Sequence, residues 1–192
     1  MRMRKAAARI AAGLVVAGGM LGGLAAAGPA LAGEFRLTST DMAEGAALTQ
    51  KQVFNGFGCS GQNISPQLSW SGAPAGTKSF VVTAYDPDAP TGSGWWHWVV
   101  YDIPADATGL PANAAEGRGL PAGAVQARND FGTAGFGGAC PPPGEVHRYE
   151  FRVFALGVER LDVDPAASPA LIGFMTRANA LGVARLTAVY TR

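Results

Sequence analysis

The chain has 192 residues, 48% hydrophobic and 15% charged, which excludes a disordered chain and leaves room for one or two domains. Its 27 glycines and 13 prolines are too many for a helical bundle and suit a turn-rich β protein, while the absence of a G-X-Y period excludes collagen. A formal charge of +1 offers no basic field for nucleic acid, and two cysteines cannot build a cysteine-based zinc site or a disulfide-rich scaffold.

The N-terminus shifts that balance. Arg2, Arg4, Lys5 and Arg9 precede an uncharged apolar stretch over 10–27, which Gly28-Pro29 breaks and Ala30-Leu31-Ala32 follows. A basic start, an apolar run and an A-x-A site predict a secretory signal peptide over 1–32. An uncleaved anchor is the alternative, since 18 apolar residues approach spanning length, although five glycines weaken the run. No cysteine follows the site, which argues against a lipid anchor. Residues 33–192 are then a single domain with 11 basic and 14 acidic residues, a net charge of about −3, so nucleic acid is a poorer partner still. The expected location is periplasmic or secreted. An exported chain can oxidise its thiols, so Cys59 and Cys140 are expected as a disulfide, with two free thiols as the alternative.

Short strands are expected over 34–38 and 67–70, and a short helix over 49–54. The β-branched and aromatic runs at 79–86 and 97–103 read as strands, the first ending in a proline turn and the second at Pro104. Residues 104–146 are loop-like, with seven glycines between 117 and 138 and the run Pro141-Pro142-Pro143-Gly144. The strand at 148–156 alternates, placing Tyr149, Phe151, Val153 and Ala155 on one face. Ser168 can cap a helix with Pro169 in its first turn; Ala170, Leu171, Phe174, Met175, Ala178 and Leu181 form a stripe expected to pack in the core, and Gly182 ends it. A last strand covers 184–191. The sum is a mainly β domain, a sandwich or related architecture.

The chain has two histidines, His97 and His147, each at the start of a predicted strand. Asp86-Pro87-Asp88-Ala89-Pro90 is a turn made rigid by its proline rings. If 79–86 pairs with 97–103 across that turn, Asp86 approaches His97. Alternation sets His147 and Tyr149 on one face and turns Arg148 to the other. One end of a sheet then holds Asp86, His97, His147 and Tyr149, with Trp95, Trp96 and Trp98 nearby. Imidazoles and a phenol can donate to phosphate oxygens, and Asp86 would orient a histidine or accept from a ligand amine or hydroxyl. If a protonated histidine holds the anion, affinity falls as pH rises. Asp88 is expected to organise its turn and Arg148 to make a structural ion pair. The competing reading is four unrelated polar residues at strand ends. Other chemistries lack their motifs: G-x-S-x-G, H-E-x-x-H, G-x-x-x-x-G-K-[ST] and a post-strand G-x-G-x-x-G are all missing. Asp86, His97 and His147 could ligate zinc in principle, but no metal and no cofactor are expected.

Asp86-Pro-Asp-Ala-Pro90 with Trp96-His97-Trp98-Val-Val100, and Cys140-Pro-Pro-Pro-Gly144 with His147-Arg-Tyr149, resemble the phosphatidylethanolamine-binding protein (PEBP) family in its bacterial Raf kinase inhibitor-like branch. Asn63-Ile-Ser-Pro66, Leu68-Ser-Trp70 and Asn129-Asp-Phe-Gly132 extend the resemblance over roughly 35–191. It implies a large central antiparallel sheet packed on a smaller one, with few helices. It also implies a small anion cavity where the Asp-Pro-Asp and His-Arg segments meet, lined by Asp86, His97, His147, Tyr149 and Pro141 or Pro142, with Asp88, Arg148 and Trp96 in support. The sequence departs from eukaryotic members in ending at a strand near Val189 instead of a helix. It departs from many animal members in carrying Trp96 where they have a second histidine, so neither ligand preference nor kinase inhibition transfers. The expected function is that of an exported, non-catalytic binding protein for a small anion or phosphorylated headgroup. The alternative is a protein-interaction module, such as an inhibitor of an exported protease or of a kinase pathway, or a modulator of a host protein; a hydrolase has the least support.

Overall fold

The computed structural model describes residues 33–192 apart from 118, so the expected signal peptide lies outside the described residues. Short strands come first: β1 (Arg36–Thr38), β2 (Asn55–Gly56), β3 (Cys59–Ser60) and β4 (Leu68–Ser71). The long strands β5 (Ser79–Asp86) and β6 (Trp95–Pro104) follow, and β7 (Gly109–Leu110) and β8 (Val125–Gln126) punctuate the glycine-rich middle. Then come β9 (His147–Leu156), the helix α1 (Pro169–Asn179) and β10 (Ala180–Tyr190). Among the described residues no helix is long and apolar enough to cross a membrane.

The strands form a five-stranded antiparallel sheet in the order β10-β9-β5-β6-β8, a three-stranded sheet β1-β4-β7 and the hairpin β2-β3. The fold is thus mainly β, a large antiparallel sheet packed on a smaller one. The core between the two sheets joins Leu37, Leu68, Trp70 and Leu110 to Phe80, Val82, Trp98, Val100, Phe151 and Val153. On the other face of the large sheet, Val81, Val99, Phe154 and Leu156 pack with Ile172 of α1. Covering both faces explains why β5 reads as an unbroken apolar run and not as an alternation. Each Val, Leu or Phe buried this way contributes about 1.5–3 kcal/mol.

Two expectations change. Residues 49–54 are not a helix. The Gln52 N–H bonds back to the Thr49 carbonyl at 3.0 Å, but the Phe54 N–H goes to the Ala139 carbonyl at 2.9 Å, and Val53 bridges Ala139 in parallel. The backbone groups a helix would need are used by a distant segment. The helix begins as expected, with Ser168 Oγ accepting the Leu171 N–H at 3.2 Å and Pro169 in the first turn. It stops earlier, however, at Asn179, so Leu181 belongs to β10. Its buried side is Pro169, Ile172 and Thr176, while Leu171 is 47% and Phe174 67% exposed. Of the expected core stripe only Met175 packs against the core, half-buried, and the rest faces outward, because apolar residues occupy more than one side of α1 and only contact with the sheet selects between them.

Candidate functional site

The site is built at the end of the large sheet where β5 stops and β6 and β9 begin. Between β5 and β6 the register steps from Ala84↔Trp98 to Tyr85↔Trp96, leaving His97 as an extra residue. This β-bulge breaks the period-two alternation and re-aims a side chain. Trp96 turns to the outer face, where its ring centroid lies 4.7 Å from that of Tyr85. His97 turns inward, its ring meeting that of Tyr149 edge-on at 5.2 Å. The tryptophan that lines the cavity is accordingly Trp95, and Trp96, expected in support, lines a groove on the opposite face.

Asp86 and His147 form a buried pair, with His147 Nδ1 2.7 Å from Asp86 Oδ2. The other carboxylate oxygen of Asp86 accepts the backbone N–H groups of Asp88 at 2.8 Å and Ala89 at 3.0 Å, so Asp86 organises the turn, the role expected of Asp88. His147 Nε2 lies 3.0 Å from Glu145 Oε2. Burial opposes charge on this imidazole, but its hydrogen bonds to Glu145 and Asp86 outweigh that and hold its pKa above the ordinary value. Both nitrogens of His147 are therefore committed to carboxylates.

His97 is tied to a different partner. Its Nδ1 donates to the Gly137 carbonyl at 2.6 Å, and the Gly137 N–H donates back to the His97 carbonyl at 2.9 Å. A side chain at 137 would run into the Phe131 ring, its Cβ falling 2.2 Å from the nearest ring carbon, so the close approach requires glycine. Burial drives the His97 pKa down, against the opposing pull of the Gly137 carbonyl and the Asp86 charge. The neutral ring with its proton on Nδ1 presents Nε2 as an acceptor. Asp86, His97 and His147 are not arranged as a metal-ligand set, and no cluster of three or more metal-ligating side chains occurs among the described residues.

Loops supply the wall. The Cys59–Cys140 disulfide, with Cα atoms 6.0 Å apart, joins the β2-β3 hairpin to the proline run. Arg192 reinforces that joint: its Nε donates to the Pro141 carbonyl at 2.7 Å and its Nη1 to the Phe57 carbonyl at 3.3 Å. The cavity, open to solvent on one side, measures about 320 Å³, within the range of small-ligand sites. Asp86, His97, His147, Tyr149 and Pro141 all line it, together with Pro142 and Pro143. Trp95, expected nearby, lines it too, as do Phe57, Phe131 and Arg192, to which sequence reasoning assigned no role there. Two of the lining residues have buried polar atoms without a hydrogen-bond partner, Trp95 Nε1 and Tyr149 Oη. Burial and the nearby Asp86 charge push the Tyr149 phenol well above its ordinary pKa, so it stays a donor.

Asp88 and Arg148 lie outside the cavity, as a two-pronged ion pair with Asp88 oxygens 2.9 Å from Arg148 Nε and 2.6 Å from Nη2. The Arg148 side-chain hydrogen bonds hold the Asp88 carboxyl down at about 2. The pair ties the turn after β5 to the start of β9, the structural role expected of Arg148.

Known proteins resemble this chain in sequence and fold. A family model described as phosphatidylethanolamine-binding protein matches residues 38–191. The UPF0098 protein YbcL of Escherichia coli (strain K12) is 57% identical over 164 residues, covering 84% of this chain and 90% of the relative. YbhB of the same organism is 54% identical over 157 residues, covering 81% and 99%. The crystal structure of E. coli YbcL, described as a new member of the mammalian PEBP family, matches with a TM-score of 0.80 over 83% of this chain and 99% of that one. A phosphatidylethanolamine-binding protein from Plasmodium vivax, at 14% identity and a TM-score of 0.52 over 82% of this chain and 85% of that one, shares the fold alone. The chain belongs to the phosphatidylethanolamine-binding protein family.

Proposed function

We propose that the protein is an exported, non-catalytic binder of a small anion or phosphorylated headgroup, held in the cavity at the end of the large sheet. The observation that carries this reading is the pattern of spent and unspent polar groups. Asp86, His147 and Glu145 satisfy one another, and His97 Nδ1 is taken by Gly137. The Trp95 N–H and the Tyr149 hydroxyl have no protein partner, and Arg192 brings a cation to the same lining. Buried donors without partners cost about 1–3 kcal/mol each, a cost that a ligand oxygen would offset. His97 Nε2 would accept the proton of a ligand O–H or N–H, a role that calls for the neutral ring, so the fall in affinity with rising pH expected if a protonated histidine holds the anion would come from His147. The lining supports binding over turnover: Cys140 is bridged and the Thr91 hydroxyl donates to the Gly94 carbonyl. Neither YbcL nor YbhB carries an enzyme's name.

The test is calorimetric titration with inorganic phosphate and phosphorylethanolamine. Trp95→Phe, Tyr149→Phe and Arg192→Gln should each weaken binding several-fold, while Arg148→Gln should not. Affinity unchanged across the first three variants would refute the reading. The alternative, a protein-interaction module, draws on Phe57, 70% exposed at the cavity's edge. Inhibition of an exported protease, abolished by Phe57→Ser with phosphate binding retained, would favour it.

A further inference from the structure

The outer face of the large sheet carries a second groove, of about 500 Å³, between the ends of β5 and β6 and the first turns of α1. It shares no lining residue with the cavity. Its walls are aromatic. Tyr85 and Trp96 sit together at an interplanar angle of 47°, and the Tyr85 hydroxyl is fixed by donating to the Ser93 carbonyl at 2.7 Å. Phe174 stands beside them, 67% exposed, an apolar ring that packing within the fold leaves uncovered.

Its charges are unbalanced. Glu150 pairs with Arg152 and also faces Arg185 Nη1 at 3.9 Å, so one carboxylate serves two guanidinium groups. The Asp130 carboxylate is turned to the Trp96 backbone N–H at 2.7 Å. Arg177, on α1, makes no ion pair or side-chain hydrogen bond with the described residues, although it lines the groove with Arg152. Two guanidinium groups, Arg152 and Arg177, thus line the groove with one carboxylate, Asp130, whose oxygen is already engaged, while Glu150 and Arg185 adjoin Arg152 outside it. Burial and the Arg177 and Arg185 charges lower the basicity of Arg152 despite Glu150, a crowding of like charge that an added anion relieves.

We propose that this groove is a second ligand site, for a small aromatic anion: a ring bearing a carboxylate or phosphate. The anionic end meets the planar forks of Arg177 and Arg152, whose donors match carboxylate and phosphate oxygens. The ring lies among Tyr85, Trp96 and Phe174, where edge and face contacts between aromatics are available. The β6 bulge makes both sites at once, because it sends Trp95 and His97 inward and Trp96 outward.

The test uses the isotope-labelled full chain titrated with phenyl phosphate, with inorganic phosphate in parallel, in the Arg192→Gln background to weaken the cavity. Saturable shifts of the Trp96 indole N–H and the Arg177 Nε–H at millimolar phenyl phosphate are expected. Arg177→Gln and Phe174→Ser should each weaken that response at least threefold and leave Trp95 and His97 signals unchanged. Inorganic phosphate should bind the groove more weakly than phenyl phosphate and be indifferent to Phe174→Ser. Shifts confined to Trp95 and His97 would overturn the proposal. So would equal binding of the two phosphates with no effect of Phe174→Ser, or binding of an acidic peptide with none of phenyl phosphate. These outcomes are read on Trp96 and do not depend on whether the cavity binds an anion.

Discussion

The floor and the wall of the cavity are made differently. The floor comes from strand ends, and its acids and imidazoles are spent within the protein: Asp86 on His147 and on the turn, His147 on two carboxylates, His97 Nδ1 on Gly137. The wall comes from loops far apart in the chain, pinned by one disulfide and by Arg192, and it contributes apolar surface and one cation. The floor therefore sets shape and pre-organisation, whereas the wall leaves freedom to select what enters. The donors left over, Trp95 Nε1 and Tyr149 Oη, belong to residues on the floor strands β6 and β9.

Breaking the wall should have the largest effect on stability. The disulfide closes a loop with a sequence separation of 81. In the chain-entropy view, Cys59→Ser with Cys140→Ser should cost up to about 4.5 kcal/mol, read by urea unfolding of the protein. Breaking the floor comes next. Asp86→Ala leaves a buried imidazole without its main counter-charge and should cost about 3 kcal/mol. The same variant should lower the His147 pKa, followed by NMR; a fall in stability without that shift would mean that only the turn was disturbed.

Smaller changes separate binding from stability. Arg192→Gln should reduce phosphate affinity about tenfold, about 1.4 kcal/mol, and cost about 1 kcal/mol of unfolding free energy through its lost bonds to the Pro141 and Phe57 carbonyls. Asp88→Asn should cost only about 1 kcal/mol and leave phosphate affinity unchanged, because its ion pair is partly exposed and outside the cavity. Proton linkage sharpens the contrast between the histidines. His147, held above its ordinary 6.5, adds stability that is full below that value and is lost as pH rises through its folded pKa. His97, held below 6.5, acts the other way: stability falls as pH drops below that value, because the unfolded chain takes up the proton first. His147→Gln should flatten the alkaline side of the stability profile and His97→Gln the acidic side, both measurable by thermal unfolding across pH.

Much of the floor was legible beforehand. The strand bounds at 79–86 and the face shared by Tyr149, Phe151 and Val153 follow from β-branched content and alternation, and these residues do lie in one core. The Asp-Pro-Asp turn and the strand-initial histidines marked where Asp86, His97 and His147 would meet. What failed, failed where a local rule meets a long-range contact. The Trp96 assignment missed a bulge whose only trace is in the pairing of two strands. The helix stripe holds only at Met175, because Ile172, not Leu171 or Phe174, faces the sheet. The 49–54 helix was lost to bonds with Ala139. Phe57 and Arg192 gave no signal, since nothing near either in sequence tells that they touch Pro141 or its neighbours.

The amino-acid sequence alone determined the strand content, the β class and, apart from Glu145, the residues of the acid–imidazole floor. Each rests on periodicity or on neighbours within a few positions, which fix side-chain direction without reference to the rest of the molecule. The tertiary structure alone decided which tryptophan faces the cavity, which histidine is pushed toward its charged form and which groups remain free to bind. Those depend on strand register, burial and partners brought from scores of residues away, and hydrogen bonds and desolvation act on atoms that are close in space, whatever their separation along the chain.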